Sequence, residues 1–174
     1  MIQYRRAFVL LLLLFPAFVF GLSEVPDDFQ QIEKDGFLIA WRIVGTDIEF
    51  IVEQSTLGWV AIGFEPSRVM KDADIIIGYV DGSEVVIEDH FAHRLTAHRP
   101  DVDMGGSNNV TVISGSEEGG RTRLRFRRPL NTGDEYDTPL SRGQSVEVIF
   151  AWGRNRADNT SALHAGHGSV TITL

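Results

Sequence analysis

The sequence predicts an all-β fold, an antiparallel β-sandwich or barrel, on the strength of three observations. Short apolar runs recur along residues 36–174, and turn signals such as Gly45-Thr46 and Asp81-Gly82 separate them. Several of these runs alternate polar and apolar residues with the two-residue period of a strand. No ten-residue amphipathic helix stands out. These features together favour nine short strands in one domain.

The strands follow from local patterns taken in chain order. The first two flank Gly45-Thr46, a plausible hairpin turn, and the fourth and fifth flank Asp81-Gly82. A glycine-rich connection, "GSEEGG", joins the sixth to the seventh. The nine strands are expected at 37–44, 47–53, 58–64, 73–80, 84–89, 110–114, 121–127, 145–152 and 168–174.

The clearest alternation is in "RTRLRFR" (121–127), which places four arginines on one face of a strand. The opposite face carries Thr122, Leu124 and Phe126. In an acidic protein the arginine face is expected to be a solvated sheet surface, and a docking patch for an acidic partner is the alternative.

The N-terminus has the order of a secretory signal. Two arginines precede the apolar run "AFVLLLLLFPAFVF", and a small residue, Gly21, follows it. Pro16 and the shortness of the run argue against an uncleaved membrane anchor. We therefore expect a signal peptide at 1–21, a lead-in at 22–35 and one domain at 36–174, exported to a periplasm or secreted, with no membrane span after cleavage.

Composition excludes several classes of function. After cleavage at Gly21 the chain would have fourteen basic and 24 acidic residues, a formal charge of −10. Such a balance gives no basic surface for nucleic acid. The absence of cysteine excludes thiolate catalysis, thiolate zinc sites, iron–sulfur clusters and covalent c-type haem.

Two polar segments, 90–109 and 153–167, are too long for simple turns, and long loops in compact domains are often functional. The first contains His90, His93 and His98, whose spacing suits copper or zinc if the segment curls. A strand would point His90 and His93 to opposite faces. A metal-dependent enzyme using these three histidines is therefore one hypothesis.

The acidic residues form close pairs, including Asp101/Asp103, Asp72/Asp74 and Asp134/Asp137. Solvated loop acids are the default interpretation. A calcium site in "DVD" or "GDEYD" is the alternative. No nucleophile elbow, phosphate-binding glycine loop or His-Glu-x-x-His pair is present.

The segment "GWVAIGFEPSRVMKDADIIIGYV" (58–80) resembles the core motif of DOMON domains. Further matches follow in the order typical of that family, and together they span about residues 36–174. They are "EDHFA", Pro100 with Asp103, "LRFRRPLNTGDEYDTPL", "VIFAWG", and a histidine-then-glycine segment before the last strand.

This resemblance implies an immunoglobulin-like β-sandwich that binds either haem b or a sugar. In the haem-binding branch, similar to the cytochrome domain of cellobiose dehydrogenase, a loop methionine and a late histidine hold the iron. Met70 matches the methionine; His164 matches the histidine, with His167 as the nearby alternative. The aromatic residues expected to line the macrocycle are Trp59, Phe64, Phe91 and Trp152, and the arginines expected to meet its propionates are Arg68 and Arg154.

The resemblance thus predicts a b-type cytochrome domain that exchanges single electrons with a separate redox protein, membrane-bound or soluble, and is not itself a catalyst. Filled axial positions leave no open site for oxygen, and a thioether ligand raises the reduction potential of the iron. The alternative is a haem-free DOMON module that binds a sugar or another small ligand.

Overall fold

The computed structural model describes residues 24–174, which form two antiparallel β-sheets. The expected signal peptide at 1–21 lies outside the described residues. Eleven strands and one 3₁₀ turn (Asp101–Met104) follow each other along the described chain. The strands are β1 (Gln30–Lys34), β2 (Phe37–Val44), β3 (Asp47–Gln54), β4 (Val60–Phe64), β5 (Asp74–Asp81), β6 (Glu84–Arg94), β7 (Ala97–Pro100), β8 (Thr111–Glu118), β9 (Arg121–Pro129), β10 (Ser145–Gly153) and β11 (His164–Thr173).

The two sheets form a sandwich, which confirms the predicted fold class. One sheet has the strand order β1-β2-β3-β9-β8, and the other has the order β11-β10-β4-β5-β6-β7. Strands distant in sequence are neighbours in both sheets, as β3 is to β9 and β10 is to β4. The chain therefore crosses between the sheets, as Greek-key sandwiches do.

All nine expected strands are present, and the differences concern polar segments. β1 and β7 were not predicted, because "QQIEK" and "AHRP" have little apolar content and lie at sheet edges. Parts of the segments 90–109 and 153–167, which were predicted to be loops, belong to strands. β6 continues to Arg94, and β11 begins at His164 rather than at Gly168. His164 and His167 are therefore strand residues.

The core between the sheets follows from strand alternation. In β9, Thr122, Leu124 and Phe126 are buried, as the two-residue period predicts. Phe50 of β3 contacts both Phe64 and Phe126, with ring centroids 5.5 and 5.6 Å apart. Burial of these large apolar side chains between the sheets is the main contribution to the stability of the sandwich.

The arginine face of β9 is a ladder of ion pairs. Arg121 and Arg123 both pair with Glu53, and Arg125 pairs with Glu49. Arg127 pairs with Asp47 at 3.3 Å. Acids of the neighbouring strand neutralise these arginines. The face is less solvated than expected, because Arg121, Arg123 and Arg125 are only partly exposed and Glu49 is buried.

Candidate functional site

The six-stranded sheet has a second apolar surface on the side that faces away from the sandwich core. In β4, Val60, Ile62 and Phe64 point into the core, so Ala61 and Gly63 point outward. Ala61 packs in a separate cluster, which we call the outer apolar face. Its buried members are Trp59, Ala61, Ala73, Ile75, Ile77 and Ala92, and Met70, Tyr79, Ile149, Ala151, Ala157 and Ala162 pack against them.

Met70 lies on this face. It belongs to the loop between β4 and β5, is half-buried, and packs against the outer apolar face. Its carbonyl accepts a hydrogen bond of 3.1 Å from the Ala73 N–H, and the Asp72 N–H donates to the Ala92 carbonyl at 2.8 Å. These bonds fold the loop back over the sheet, which explains why a polar loop carries a thioether.

The two late histidines lie on the same side of the sheet. His167 pairs with Ala151 of β10, and His164 pairs with Gly153 across an irregularity in the register. Directly paired residues share a face of an antiparallel sheet, so His167 is on the face of Ala151. The His164 and His167 rings stack with centroids 4.8 Å apart and planes inclined by 19°. Both side chains are exposed and thus accessible to a ligand.

Trp59 is the one of the four aromatic residues proposed from the sequence that lies on this face. Its side chain is 5% exposed, and its indole Nε1 is buried without a hydrogen-bond partner among the described residues. Gly153 packs directly against it, because a Cβ on Gly153 would lie 2.6 Å from the Trp59 Cδ1 and Nε1 atoms. The close approach fixes where the indole ring lies.

Three other predicted aromatic residues lie on the opposite side of the sheet. Phe64 is fully buried in the core between the sheets, and Trp152 stacks on Phe150 at 6.4 Å there. Phe91 pairs with Asp74 and contacts the Tyr136 ring at 5.5 Å. The structure therefore does not bring Phe64, Phe91 or Trp152 to the face of Met70, because the two-residue period turns them inward.

The predicted arginines are on loops that border the outer apolar face. Arg68 is exposed in the Met70 loop, where it forms an isolated bridge with Lys71. Arg154 is exposed directly after β10. Sequence reasoning missed Ile75, Ile77 and Tyr79. Their signal was the unbroken apolar run of β5, which is typical of a strand buried on both faces.

These side chains fit a haem group by their chemistry. A soft thioether and two imidazoles occur on one surface, and the members of that surface are apolar, half of them alanines. Met and His are an established axial pair for haem iron, and His coordinates as a neutral imidazole.

The other three histidines do not form a three-ligand metal site. His90 Nδ1 lies 2.9 Å from His98 Nδ1, and His90 Nε2 lies 2.9 Å from Glu88 Oε2. Burial lowers the pKa of His90 and lowers that of His98 to about 4, so both rings are neutral. His93 is not in hydrogen-bond contact with either ring, and among residues 24–174 only three aspartates, not the three histidines, bring their ligand atoms close enough for one metal ion.

A cluster of four buried aspartates lies at one end of the sandwich, around Arg128. We call Asp74, Asp89, Asp101 and Asp137 the aspartate cluster; Arg128 contacts Asp74 and lies 3.6 Å from Asp137. Burial raises the pKa of Asp89 to about 8 and that of Asp101 to about 7, and neighbouring carboxylates add to both shifts. Burial also raises the pKa of Asp74 to about 6, although Arg128 opposes the shift.

A family model described as a DOMON domain matches residues 33–153. The chain is 38% identical over 137 residues to MOXD1 homolog 2 of Drosophila melanogaster, covering 79% of this chain and 17% of that protein. It is 28% identical over 122 residues to DBH-like monooxygenase protein 1 of Homo sapiens, covering 70% of this chain and 19% of that one. The chain thus spans less than a fifth of the length of either relative.

Solved structures show the same fold. The cytochrome b domain of pyranose dehydrogenase from Coprinopsis cinerea superposes with a TM-score of 0.61 at 16% identity, covering 83% of this chain and 81% of that one. The cytochrome domain of cellobiose dehydrogenase from Myriococcum thermophilum gives 0.60 at 12% identity, covering 84% and 81%. Among residues 24–174, no helix has the length and apolar character needed to cross a membrane.

Proposed function

Because the chain belongs to the DOMON domain family, we propose that it binds haem b and transfers single electrons, and that Met70 and His164 would hold the iron. The observation that carries this proposal is that the methionine and the two histidines lie on the same surface of the sheet. Met70 packs on the outer apolar face, and the stacked pair His164 and His167 borders the same face from β11. His167 remains the alternative ligand.

Each residue has a defined part in the proposed site. Bound haem b supplies a one-electron iron couple, and a thioether ligand favours its ferrous form. Trp59, Ile75 and Ile77 present a buried apolar floor that excludes water from one side. Arg68 and Arg154 are exposed on the bordering loops and would pair with carboxylates at the edge of the group.

The cellular setting belongs to the same proposal. We expect the domain to be exported and to exchange electrons with a separate redox protein, either membrane-bound or soluble. One relative is named a DBH-like monooxygenase, but this chain matches only 19% of its length. We therefore assign electron transfer, and not substrate oxidation, to the matched domain.

The test is a haemin titration of the purified full chain, followed by absorbance spectra in the oxidised and reduced states. We expect one equivalent of haem and sharp ferrous bands, since two strong axial ligands give a six-coordinate low-spin iron. Met70→Ala should abolish those bands. Met104→Ala is the matched control, because Met104 is also half-buried but lies in the 3₁₀ turn away from the outer apolar face.

The second candidate is a haem-free module that binds a sugar or another small ligand. The same titration separates the two, because a protein that stays colourless with excess haemin would exclude the first. Under the second candidate, neither Met70→Ala nor Met104→Ala should change the affinity for the ligand.

A further inference from the structure

With every carboxyl group ionised, the aspartate cluster would carry more negative charge than the protein around it neutralises. Asp74 and Asp101 are 0% exposed, Asp89 is 2% exposed and Asp137 is 7% exposed. Arg128, also 0% exposed, is the cation that bridges two of them. Four carboxylates against one guanidinium leave three excess negative charges when all are ionised. Buried charges of this kind require a counter-charge.

Two of these aspartates each have one carboxylate oxygen without a hydrogen-bond partner among the described residues. Asp74 Oδ2 accepts from Arg128 and from the Thr138 N–H at 2.8 Å, and its Oδ1 has no partner there. Asp89 Oδ2 accepts from the Asn109 N–H at 3.1 Å, and its Oδ1 likewise has none. In each case one oxygen is fixed by a donor and the other is left free. Outer hydrogen bonds of this type orient the carboxylates of metal sites.

The other two members of the cluster also have buried carboxylate oxygens without a hydrogen-bond partner. Asp137 Oδ2 lies 3.6 Å from Arg128 Nη2, and its Oδ1 is buried without a partner among the described residues. Asp101 has both carboxylate oxygens buried and unpartnered within the same part of the chain. The cluster thus contains five buried carboxylate oxygens that have neither a hydrogen-bond donor nor a cation as a partner among the described residues. Unsatisfied buried acceptors at this density are rare in folded proteins.

The spacing fits a hard divalent cation. One carboxylate oxygen from each of Asp74, Asp89 and Asp137 lies within 4.8 Å of the others. Two oxygens bound to one calcium ion at 2.3–2.6 Å are separated by at most about 5 Å. Carboxylate oxygens suit calcium, which accepts irregular geometry, better than magnesium, which demands a near-ideal octahedron.

We propose that Asp74, Asp89 and Asp137 bind a calcium ion at this end of the sandwich, with Asp101 adding charge beside it. The ion would join the first residue of β5, the middle of β6 and the loop between β9 and β10. Asp74 is four positions after Met70, so the ion would also hold the base of the Met70 loop. The site does not require that haem binds on the other face of the sheet.

Calorimetric titration of the EDTA-treated full chain with CaCl₂ tests this proposal. We expect one calcium per chain, weaker binding of MgCl₂, and a Tm raised by roughly 5–10 °C at a hundredfold excess of calcium over its Kd. Absence of calcium binding by the wild-type chain would overturn the proposal. The buried aspartates would then be neutralised by protonation.

Variants locate the site. Asp89→Asn retains an oxygen for the Asn109 N–H but removes one negative charge, so it should weaken calcium binding at least tenfold while folding in EDTA. Asp137→Asn provides a second variant if the first fails to fold. Asp81→Asn is the matched control, because Asp81 is exposed at the other end of β5. Wild-type affinity in a folded Asp89→Asn chain would contradict the assignment.

Discussion

His167 of β11 lies directly opposite Ala151 of β10, and Ala151 packs against the same outer apolar face that Met70 contacts. The stacked His164 ring extends this arrangement by one further imidazole. The Met70 loop and β11, which are distant in sequence, therefore place a thioether and two imidazoles on one surface of the six-stranded sheet. This relationship makes each histidine separately testable.

Replacing each of the two histidines separately by alanine should show which one binds the iron. We expect His164→Ala to abolish the sharp ferrous bands and His167→Ala to retain them, because the family pattern assigns coordination to His164. Reduced absorbance spectra of both variants with one equivalent of haemin provide the measurement. The reverse result would assign the iron to His167, and sharp bands in the double variant would rule out both.

Removal of Arg128 should destabilise the sandwich strongly. Its side chain is fully buried among carboxylates, so Arg128→Met leaves the aspartate cluster without its cation. We expect a loss of about 3–5 kcal/mol in the free energy of unfolding, measured by urea denaturation in EDTA. Arg127→Met is the control, since its exposed ion pair with Asp47 should contribute about 1 kcal/mol or less. Equal losses in the two variants would contradict this account.

A methyl group at Gly153 should disturb Trp59. The Cβ of Gly153→Ala would lie 2.6 Å from the indole Cδ1 and Nε1 atoms and 3.0 Å from the Ala157 Cβ. Overpacking of this kind costs about 1–3 kcal/mol, which urea denaturation would detect.

The smaller side chain of Trp59→Leu should relieve part of that clash. A double-mutant cycle between Gly153→Ala and Trp59→Leu should therefore show a favourable coupling. Strict additivity would indicate that the strain of Gly153→Ala is absorbed elsewhere.

Acid should destabilise the protein in part through His98. Burial, with smaller contributions from His90 and His93, lowers the pKa of His98 from 6.5 to about 4 in the folded state. Between these pH values the unfolded chain takes up a proton that the folded chain does not, so stability is present above pH 6.5 and is lost as the pH falls.

The expected contribution is about 1–2 kcal/mol on going from pH 7 to pH 5. Urea denaturation at the two pH values should show a smaller loss in His98→Gln than in the wild type. Identical pH dependence of the two proteins would mean that His98 titrates normally.

The strands could be predicted from the sequence because each one carries its own signal. The alternation of Thr122, Leu124 and Phe126 sets the buried face of β9 without reference to any other strand. β1 and β7 were missed because edge strands hold few apolar residues, and their pairing partners define them.

The candidate site could be predicted only in part, because a local pattern does not show which face of a strand is covered. Met70 and His164 stood out because residue types with ligand chemistry occurred at the positions of a family pattern. Phe64 and Trp152 have the right chemistry too, but the strand period turns them into the core. The sequence shows which residue types have suitable chemistry. The face of the sheet on which each side chain lies depends on which side the second sheet covers.

The sequence by itself determined the all-β class, the strand positions and the residue types able to coordinate iron, since these depend on local pattern. Only the tertiary structure decided which residues meet. Pairing of β5 with β6, and the fold of the loop before β10, brought Asp74, Asp89 and Asp137 together from separate segments. Such convergence depends on register and long-range packing, which no short stretch of sequence encodes.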